Sequence, residues 1–299
     1  MQLFGGIEAG GTKFVCMIGH DPEHILAEER FATTTPAETI GRVVAFFAPY
    51  AKSGRLAALG IASFGPLDLN PHSATYGYIT TTPKTGWEQV DFYGEIQRKL
   101  NIPVAFDTDV NAAAFGEHYW IPENRLLDPF VYMTIGTGIG VGAIVNGAPL
   151  HGLLHPEAGH FALPHNWERD PFPGVCPYHG DCLEGMASGL SLSERWGQSP
   201  ESLPVSHPAW DLESEYIALA IVNLIYAYSP QRIILGGGVS QHVDLLQAVH
   251  CKVKQFMNGY VQSPVLDRIE EYIIPPALGN RSGGLGAIAM ARMLNNKVL

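Results

Sequence analysis

The chain has 299 residues, of which 46% are hydrophobic and 16% charged, as is typical of a folded globular protein with room for two domains. Its net charge is −11 and it has no cluster of Lys or Arg, which disfavours a nucleic acid partner, because neutralising phosphates requires a basic face. No uncharged apolar run approaches the roughly 20 residues of a membrane span, and the first residues lack the features of a signal peptide, so no membrane partner is expected.

The predicted elements of the first half alternate between strands and helices. In chain order we predict strands at Leu3–Ala9 and Phe14–Ile18, a helix at Ala37–Ala51, a strand at Leu56–Ser63, a helix at 89–100, a strand at Val104–Phe106 and a helix at Asn111–Tyr119. The first two strands flank a glycine turn and form a hairpin. This alternation indicates an α/β domain.

The second half repeats this opening. We predict strands at Phe130–Ile135 and Val141–Val145, a helix at Ile217–Tyr228, strands at Arg232–Leu235 and Tyr272–Ile274, and a helix from Leu285 onward. Two α/β units that share a hairpin opening predict a duplicated fold with a cleft between the copies. We place the boundary near residues 117–128, with domains 1–117 and 118–299, and the last helix is a candidate to pack back on the first domain.

Three glycine-rich turns follow apolar strands. They are Gly10-Gly11-Thr12-Lys13, Gly136-Thr137-Gly138-Ile139-Gly140 and Gly236-Gly237-Gly238-Val239-Ser240. Each alone fits an ordinary hairpin, but three favour a phosphate site, because backbone N–H groups and Thr hydroxyls can bind phosphate oxygens. None has the spacing of a Walker A or Rossmann motif, so a phosphate site of another type is expected.

A carboxylate follows the short strand at Val104–Phe106. Asp109 can be read as the N-cap of the next helix, or as a general base that points into the cleft and takes a proton from a hydroxyl attacking phosphorus. Asp107 is a competitor for the role of base, and the residues alone do not choose between the two.

Residues 157–184 contain the pattern H-x15-C-x2-H-x2-C. Its residues are His160, Cys176, His179 and Cys182. This set suits a tetrahedral Zn²⁺ site, and four protein ligands leave no position for water, so the metal would be structural. The other two cysteines, Cys16 and Cys251, sit alone in apolar surroundings, which indicates a reduced, cytoplasmic protein and no disulfide framework.

Two features of this stretch bear on binding. Nearby histidines are alternatives to His160 as the fourth ligand: His151, His155 and His165. The carboxylates Glu157 and Glu184 lie at its two ends, where a metal site would hold them in fixed directions.

Together these motifs resemble the ROK family of bacterial sugar kinases and repressors, most closely its fructokinase branch. The resemblance spans nearly the whole chain. It rests on Glu8–Lys13, Thr82–Trp87, Thr108–Ala114, Ile135–Gly140, Glu157–His160, Cys176–Glu184 and Leu235–Val239.

The resemblance implies a duplicated actin-like ATPase (ribonuclease H-like) fold, with ATP and Mg²⁺ in the cleft and a sugar between the domains. It implies that Asp109 is the catalytic base and that His160 binds both sugar and zinc. The implied sugar-binding residues are Glu157, His160, Glu184, Gly65 and Pro83. The implied ATP-binding residues are Gly10, Gly11, Thr12, Lys13, Thr137, Gly138, Ser188, Gly236, Gly237, Gly238, Val239 and Ser240. The implied zinc ligands are His160, Cys176, His179 and Cys182.

Three departures from the common family pattern narrow the assignment. The usual zinc motif C-x-C-G-x-x-G-C is here C-x-x-H-x-x-C with His179, a form shared by fructokinase-like members. Thr108 stands where many glucokinases of the family have Asn, which disfavours glucose as the main substrate. Glu8 replaces the more usual Asp, a smaller change in the same direction.

The resemblance therefore predicts an ATP-dependent fructokinase that makes fructose 6-phosphate and forms a homodimer. The alternatives are a kinase for mannose, glucose or an N-acetylhexosamine, a catalytically silent sugar-binding protein and a sugar-responsive repressor. A repressor of the family carries a DNA-binding helix-turn-helix ahead of the first glycine turn, and that turn starts here at Gly10.

Overall fold

The computed structural model describes residues 2–298. Its strands are β1 Leu3–Ala9, β2 Lys13–Gly19, β3 Ile25–Ala32, β4 Leu56–Ser63, β5 Val104–Thr108, β6 Phe130–Ile135, β7 Ile139–Val145, β8 Ala148–Pro149, β9 Arg232–Gly236 and β10 Ile273–Ile274. Its α-helices are α1 Pro36–Lys52, α2 Phe92–Leu100, α3 Asp109–Trp120, α4 Leu183–Ala187, α5 Gly189–Trp196, α6 Ala209–Tyr228, α7 Leu245–Met257, α8 Pro264–Asp267, α9 Ile269–Tyr272 and α10 Ser282–Val298. None of these helices is both long and apolar enough to cross a membrane.

The strands form two sheets with the same order of successive strands. The first sheet has the order β3-β2-β1-β4-β5, and the second, read from its opposite edge, has the order β8-β7-β6-β9-β10. In the first sheet β1, β4 and β5 are parallel neighbours, and in the second β6, β9 and β10 are. This repeated order confirms the predicted α/β duplication.

The observed bounds agree best with the predictions where apolar runs are continuous. The strands predicted at Leu3–Ala9, Leu56–Ser63 and Phe130–Ile135 have these bounds in the structure. Strand β3 was not predicted, because it lies at a sheet edge and carries three consecutive charged residues, Glu28–Arg30, in place of a regular apolar pattern. Helix α6 begins at Ala209, eight residues before the predicted start at Ile217. The prediction missed its first two turns because their acidic residues interrupt the apolar pattern by which the helix was recognised. Helix α7 was not predicted either.

The chain forms two compact units. The first comprises the chain up to Leu126, the segment Gly142–Pro156 and the C-terminal segment from Ala277. The second comprises Leu127–Val141 and Glu157–Pro276. From the sequence we place the end of the first domain at residue 117. The first unit of the structure also contains Gly142–Pro156, which lies beyond that residue.

Helix α10 packs on β1, β4 and α3 within the first unit. The approach to β4 is close enough to require glycine, because a Cβ at Gly60 would collide with the carbonyl of Ala287. Leu285 and Ile288 of this helix pack against Met17 and Ala58 on one face of the first sheet. The terminal helix is therefore part of the core that supports the first sheet.

An aromatic cluster covers the other face of that sheet. Phe14 packs against Trp87 and Phe92, with ring centroids 5.7 and 5.8 Å apart, and all three side chains are buried. The Trp87 Nε1–H also donates a hydrogen bond to the Thr34 carbonyl at 2.9 Å. This packing anchors the loop at residues 77–87, here called the hydroxyl-rich loop for its threonines, which ends at Trp87.

The second unit contains a fully buried carboxyl on α6. Glu213 has no exposed surface, and within the described part of the chain neither of its carboxyl oxygens has a hydrogen-bond partner. Burial raises the pKa of Glu213 well above its ordinary value of 4.5, and the Arg195 guanidinium opposes this shift only in part. The folded state therefore keeps a proton on Glu213 that the unfolded chain releases.

This proton makes the stability of the fold pH-dependent. The contribution of Glu213 is fully present below pH 4.5 and is lost as the pH rises through the pKa of the folded state. We expect Glu213→Gln to unfold at a progressively higher temperature than wild type as the pH is raised from about 5 to about 8. Differential scanning calorimetry measures this, with the exposed Glu194→Gln on α5 as the control for loss of a charge. Parallel curves for Glu213→Gln and wild type would contradict the assignment.

Candidate functional site

In the first unit, three predicted site segments leave the same edge of the first sheet. The strand ends Ala9, Ser63 and Thr108 lie side by side in the register of the parallel strands β1, β4 and β5. The residues that follow within two positions of these ends are Gly10, Gly65 and Asp109. Ligand sites of α/β proteins lie at such carboxyl edges, so the fold brings these segments together where a substrate can bind.

Thr108, and not Asp109, is the N-cap of α3. The Thr108 hydroxyl accepts the N–H of Asn111 at 3.1 Å, and Thr108 has the extended backbone of a cap residue. Asp109 is the first residue of the helix and is partly exposed. The interpretation of Asp109 as a helix cap is therefore wrong, and its Oδ1 accepts the N–H of Val110 at 2.9 Å. The Thr108 hydroxyl therefore has a structural role as the cap of α3, at the position where many glucokinases of the family have Asn.

Asp107 is a structural anchor. Its Oδ1 accepts the N–H of Thr108 at 2.7 Å and the side-chain amide of Asn111 at 2.8 Å. Its Oδ2 lies 2.9 Å from Nε2 of His151, and the residue is buried. Protein groups engage both oxygens of this carboxylate, so Asp107 is poorly suited to take a substrate proton.

The first glycine turn is held by its carbonyl groups. Thr33 donates its hydroxyl to the Gly10 carbonyl at 2.7 Å and its N–H to the Thr12 carbonyl at 3.0 Å. Between residues 2 and 298, the N–H groups of Gly11 and Thr12 donate to no other group, and Lys13 is exposed. The turn therefore offers backbone donors and a cation to an anionic ligand.

Pro83 and Glu8 adjoin this turn in different ways. Pro83 is exposed in the hydroxyl-rich loop, whose Lys84 ammonium lies 3.5 Å from the Thr33 carbonyl. Glu8, at the end of β1, accepts the N–H of Gly284 at the start of α10 at 3.1 Å. The longer side chain that replaces the usual Asp thus ties the strand before the turn to α10.

In the second unit, two glycine turns and a helix start meet. Strands β6 and β9 are parallel, with Thr134 opposite Gly236, so both turns leave the same sheet edge. Gly237 has a φ of 93° and lies against the Ile135 carbonyl, a position that only glycine fits. The N–H of Gly189, at the start of α5, donates to the Gly136 carbonyl at 2.7 Å. Backbone donors and a helix N-terminus in one place suit a phosphate chain.

Hydroxyl groups stiffen this arrangement. Ser240 donates its hydroxyl to the Gly237 carbonyl at 2.8 Å, within the third turn. The buried Ser188 is the N-cap of α5 and accepts the N–H of Ser191 at 3.1 Å. Its predicted place in the nucleotide pocket stays a prediction, and in the structure its hydroxyl serves the helix.

Two carboxylates lie near the second glycine turn. Oε2 of Glu184 accepts the N–H of Ile139 at 2.9 Å, and a Cβ at Gly138 would collide with it. Desolvation by surrounding protein atoms, and secondly the charge of Glu184, raise the pKa of Glu157 to about 7, although the residue keeps contact with solvent. Glu184 is thus close enough to Glu157 for its charge to raise the pKa of Glu157.

The Cys and His residues of the predicted metal pattern converge. The ligand atoms of His160, Cys176, His179 and Cys182 all lie within 4.8 Å of one another. The Nδ1 of His160 is 3.5 Å from Sγ of Cys182 and 3.7 Å from Sγ of Cys176. The Nδ1 of His179 is 3.6 Å from Sγ of Cys176. A tetrahedral Zn²⁺ site requires an N···S separation of roughly 3.6 Å, from its usual bond lengths, so the four atoms fit such an ion.

Local structure explains this convergence. Cys176 and Gly180 exchange two backbone hydrogen bonds, and Gly180 has a φ of 66°, which closes a tight turn that carries His179 beside Cys176. Burial, followed by the neighbouring Cys176 thiol, raises the pKa of Cys182 to about 11. A bound cation would be needed to hold this sulfur as the thiolate that ligates metals.

The other histidines of the stretch have other partners. His165 Nδ1 lies 3.0 Å from Oδ2 of Asp181, and its Nε2 lies 2.8 Å from the Asp170 carbonyl. His155 Nε2 accepts the N–H of Leu67 at 3.1 Å. The structure therefore brings His160, rather than His151, His155 or His165, to the Cys and His residues. The contacts of His151 and His155 were not foreseen, because they join residues far apart in sequence.

A duplicated sheet with glycine turns at the ends of its parallel strands is the actin-like ATPase type of fold. The chain belongs to the ROK family, whose model matches residues 4–293. It is 45% identical over 296 residues to the fructokinase of Streptococcus mutans, covering 98% of both chains. It is 43% identical over 295 residues to the fructokinase of Lactococcus lactis subsp. cremoris, again covering 98% of both.

A solved structure supports the fold. The ROK family glucokinase of Streptomyces griseus, in complex with glucose and AMPPNP, superposes with a TM-score of 0.75 at 22% identity. The match covers 97% of this chain and 99% of that one. At this identity the likeness establishes the shared fold.

Proposed function

We propose that this protein is an ATP-dependent fructokinase that converts D-fructose to fructose 6-phosphate. The observation that carries the proposal is the full-length similarity to two proteins named fructokinases, together with the glycine turns at strand ends in both units. The backbone donors of the glycine turns would hold ATP. The residues concerned are Gly10, Gly11, Thr12, Lys13, Thr137, Gly138, Ser188, Gly236, Gly237, Gly238, Val239 and Ser240.

Asp109 would act as the general base. Its carboxylate would accept the proton of the sugar 6-hydroxyl while that oxygen forms a bond to the γ-phosphorus and the bond to the bridging oxygen of ADP breaks. The partly exposed position of Asp109 beyond a parallel strand supports this role. Mg²⁺ would enter with ATP and neutralise charge on its β- and γ-phosphates. Positioning of the two substrates and stabilisation of the charge that develops in the transition state would supply most of the rate enhancement.

The sugar would be recognised by carboxylates, a histidine and two loops. The proposed residues are Glu157, His160, Glu184, Gly65 and Pro83. Carboxylates suit this task because each accepts hydrogen bonds from sugar hydroxyls, and Glu184 is already held in place by the Ile139 N–H.

We also infer that His160, Cys176, His179 and Cys182 bind one structural Zn²⁺. Four protein ligands would complete its coordination, so the ion would brace the segment and leave the chemistry to Asp109. The use of Nδ1 by His160 would leave its Nε2 for the sugar. A homodimeric state and a cytoplasmic location remain predictions, the first of which light scattering on the purified protein would test.

A hexose panel tests the function. We expect ATP-dependent ADP release with fructose at a kcat/KM above that with mannose, glucose or N-acetylmannosamine, measured in a coupled assay. NMR of the product should place the phosphate on the 6-oxygen of fructose. A higher kcat/KM for another hexose would replace fructose as the substrate, and ADP release that no sugar stimulates would contradict the kinase assignment.

A further inference from the structure

The loop from His151 to His155, here called the 151–155 loop, contacts two segments of the candidate site within the first unit. Two backbone hydrogen bonds hold the loop, one just before it and one within it. The Leu150 N–H donates to the Ala143 carbonyl of β7 at 2.8 Å, and the Gly152 N–H donates to the Leu154 carbonyl at 2.7 Å. The loop is therefore a defined turn that can fix what its two histidines contact.

His151 contacts the segment that carries the proposed base. Its Nε2 lies 2.9 Å from Oδ2 of Asp107, and it can only donate in this contact because a carboxylate has no proton to offer. The other oxygen of Asp107 accepts the Thr108 N–H and the Asn111 amide. Asp107 thus links the 151–155 loop to the first turn of α3, on which Asp109 stands.

His155 contacts the turn that contains Gly65. The Leu67 N–H donates to Nε2 of His155 at 3.1 Å, and both residues are buried. A Cβ at Gly65 would lie 3.4 Å from the His155 ring, so the ring packs directly on this turn. A backbone N–H can only donate, so Nε2 carries no proton and the His155 ring is neutral. Burial lowers the pKa of His155, which agrees with this state.

We propose that His151 and His155 are positioning residues that hold the proposed base and the proposed sugar turn at a fixed separation. The sheet ladder ends at Ser63 and Thr108. Beyond these ends the 151–155 loop places one histidine on each of the two segments and so links them to each other. This inference rests on the proposed function of Asp109 and Gly65. It differs from that function in naming residues that act through Asp107 and Leu67 and touch no substrate.

The two histidines should differ in their kinetic effects. Loss of the His151 contact would free the segment before Asp109, which matters most in the transition state, so kcat should fall while KM for fructose changes little. Loss of the His155 contact would free the sugar turn and leave the buried Leu67 N–H unpaired, so KM for fructose should rise. A misplacement of about 1 Å can cost on the order of a hundredfold in rate, so losses of tenfold to about a hundredfold are expected.

Four variants test the proposal in the full-length enzyme: His151→Leu, His151→Gln, His155→Leu and His155→Gln. Leucine removes the contact. Glutamine can donate to Asp107 through its amide nitrogen or accept the Leu67 N–H through its oxygen, so each Gln variant should recover most of what the Leu variant loses. The matched control is His24→Leu, because His24 Nδ1 lies 2.8 Å from Asp21 in an exposed turn of the same unit.

The expected result is a loss in kcat for His151→Leu and a rise in KM for His155→Leu, with recovery by Gln and unfolding temperatures near that of wild type. Wild-type kinetics in both Leu variants would overturn the proposal. The proposal would also be overturned if the Leu and Gln variants lost equal activity and both had a lower unfolding temperature than wild type. Such a result would indicate that the histidines only stabilise the fold. If the wild type prefers another hexose, only the proposed substrate fails, and the same variants are compared with that hexose. A wild type that phosphorylates no sugar overturns both proposals.

Discussion

Asp109→Asn is expected to lower kcat for fructose phosphorylation by about 10²- to 10⁴-fold, the usual contribution of a general base. Asparagine has nearly the same shape but cannot accept the proton of the sugar hydroxyl. Helix α3 should keep its start, because its cap is Thr108 and not Asp109. The fructose dissociation constant, measured by calorimetry, should therefore change much less than kcat.

A matched control separates loss of the base from loss of an acid at a helix start. Asp91 is the N-cap of α2 and accepts the N–H of Gly94 at 2.9 Å. Asn is also a good cap, so Asp91→Asn should keep both activity and unfolding temperature. Near-normal kcat in Asp109→Asn would refute the assignment of the base, and Asp107→Asn would then be the next variant to measure.

Cys182→Ser is expected to abolish zinc binding and to lower the unfolding temperature by on the order of 10 °C, because structural zinc contributes folding free energy directly. Elemental analysis by inductively coupled plasma mass spectrometry should find one zinc ion per wild-type chain and none in the variant. The segment should become susceptible to proteolysis near Gly180, whose tight turn depends on the groups around it.

Cys251→Ser is the control for this prediction. Cys251 is an exposed thiol on α7, outside the Cys and His cluster, so its removal should leave zinc content and stability unchanged. Wild-type protein that contains no zinc as purified, and in which thiols besides that of the exposed Cys251 react with Ellman's reagent under native conditions, would contradict the metal assignment. Activity lost on chelation and regained with zinc, in parallel with the unfolding temperature, is expected of a structural ion.

The sequence was most informative where the evidence is local. The apolar run at Leu56–Ser63 specifies a buried strand because each residue of a central parallel strand faces a covered surface. The spacing of Cys176, His179 and Cys182 brings these residues together through one tight turn, so a short motif suffices to predict their proximity.

The sequence was less informative where one residue can take two roles. Asp109 and Thr108 both suit a helix start, and only the backbone at Thr108, with its bond to Asn111, shows which of them is the cap. Asp107 likewise could be a base or an anchor until its contact with His151 was seen. These choices depend on where a side chain points, which neighbouring residues in sequence do not decide.

By itself the sequence determined the α/β class, the duplication, the glycine turns at strand ends and the grouping of Cys176, His179 and Cys182, because periodicity and spacing reflect local geometry. Only the tertiary structure decided that α10 packs on the first sheet, that His160 joins the cysteines and His179, and that His151 and His155 contact Asp107 and Leu67. These contacts join residues that lie far apart along the chain. Their partners are chosen by the packing of whole elements, and no local pattern records that packing.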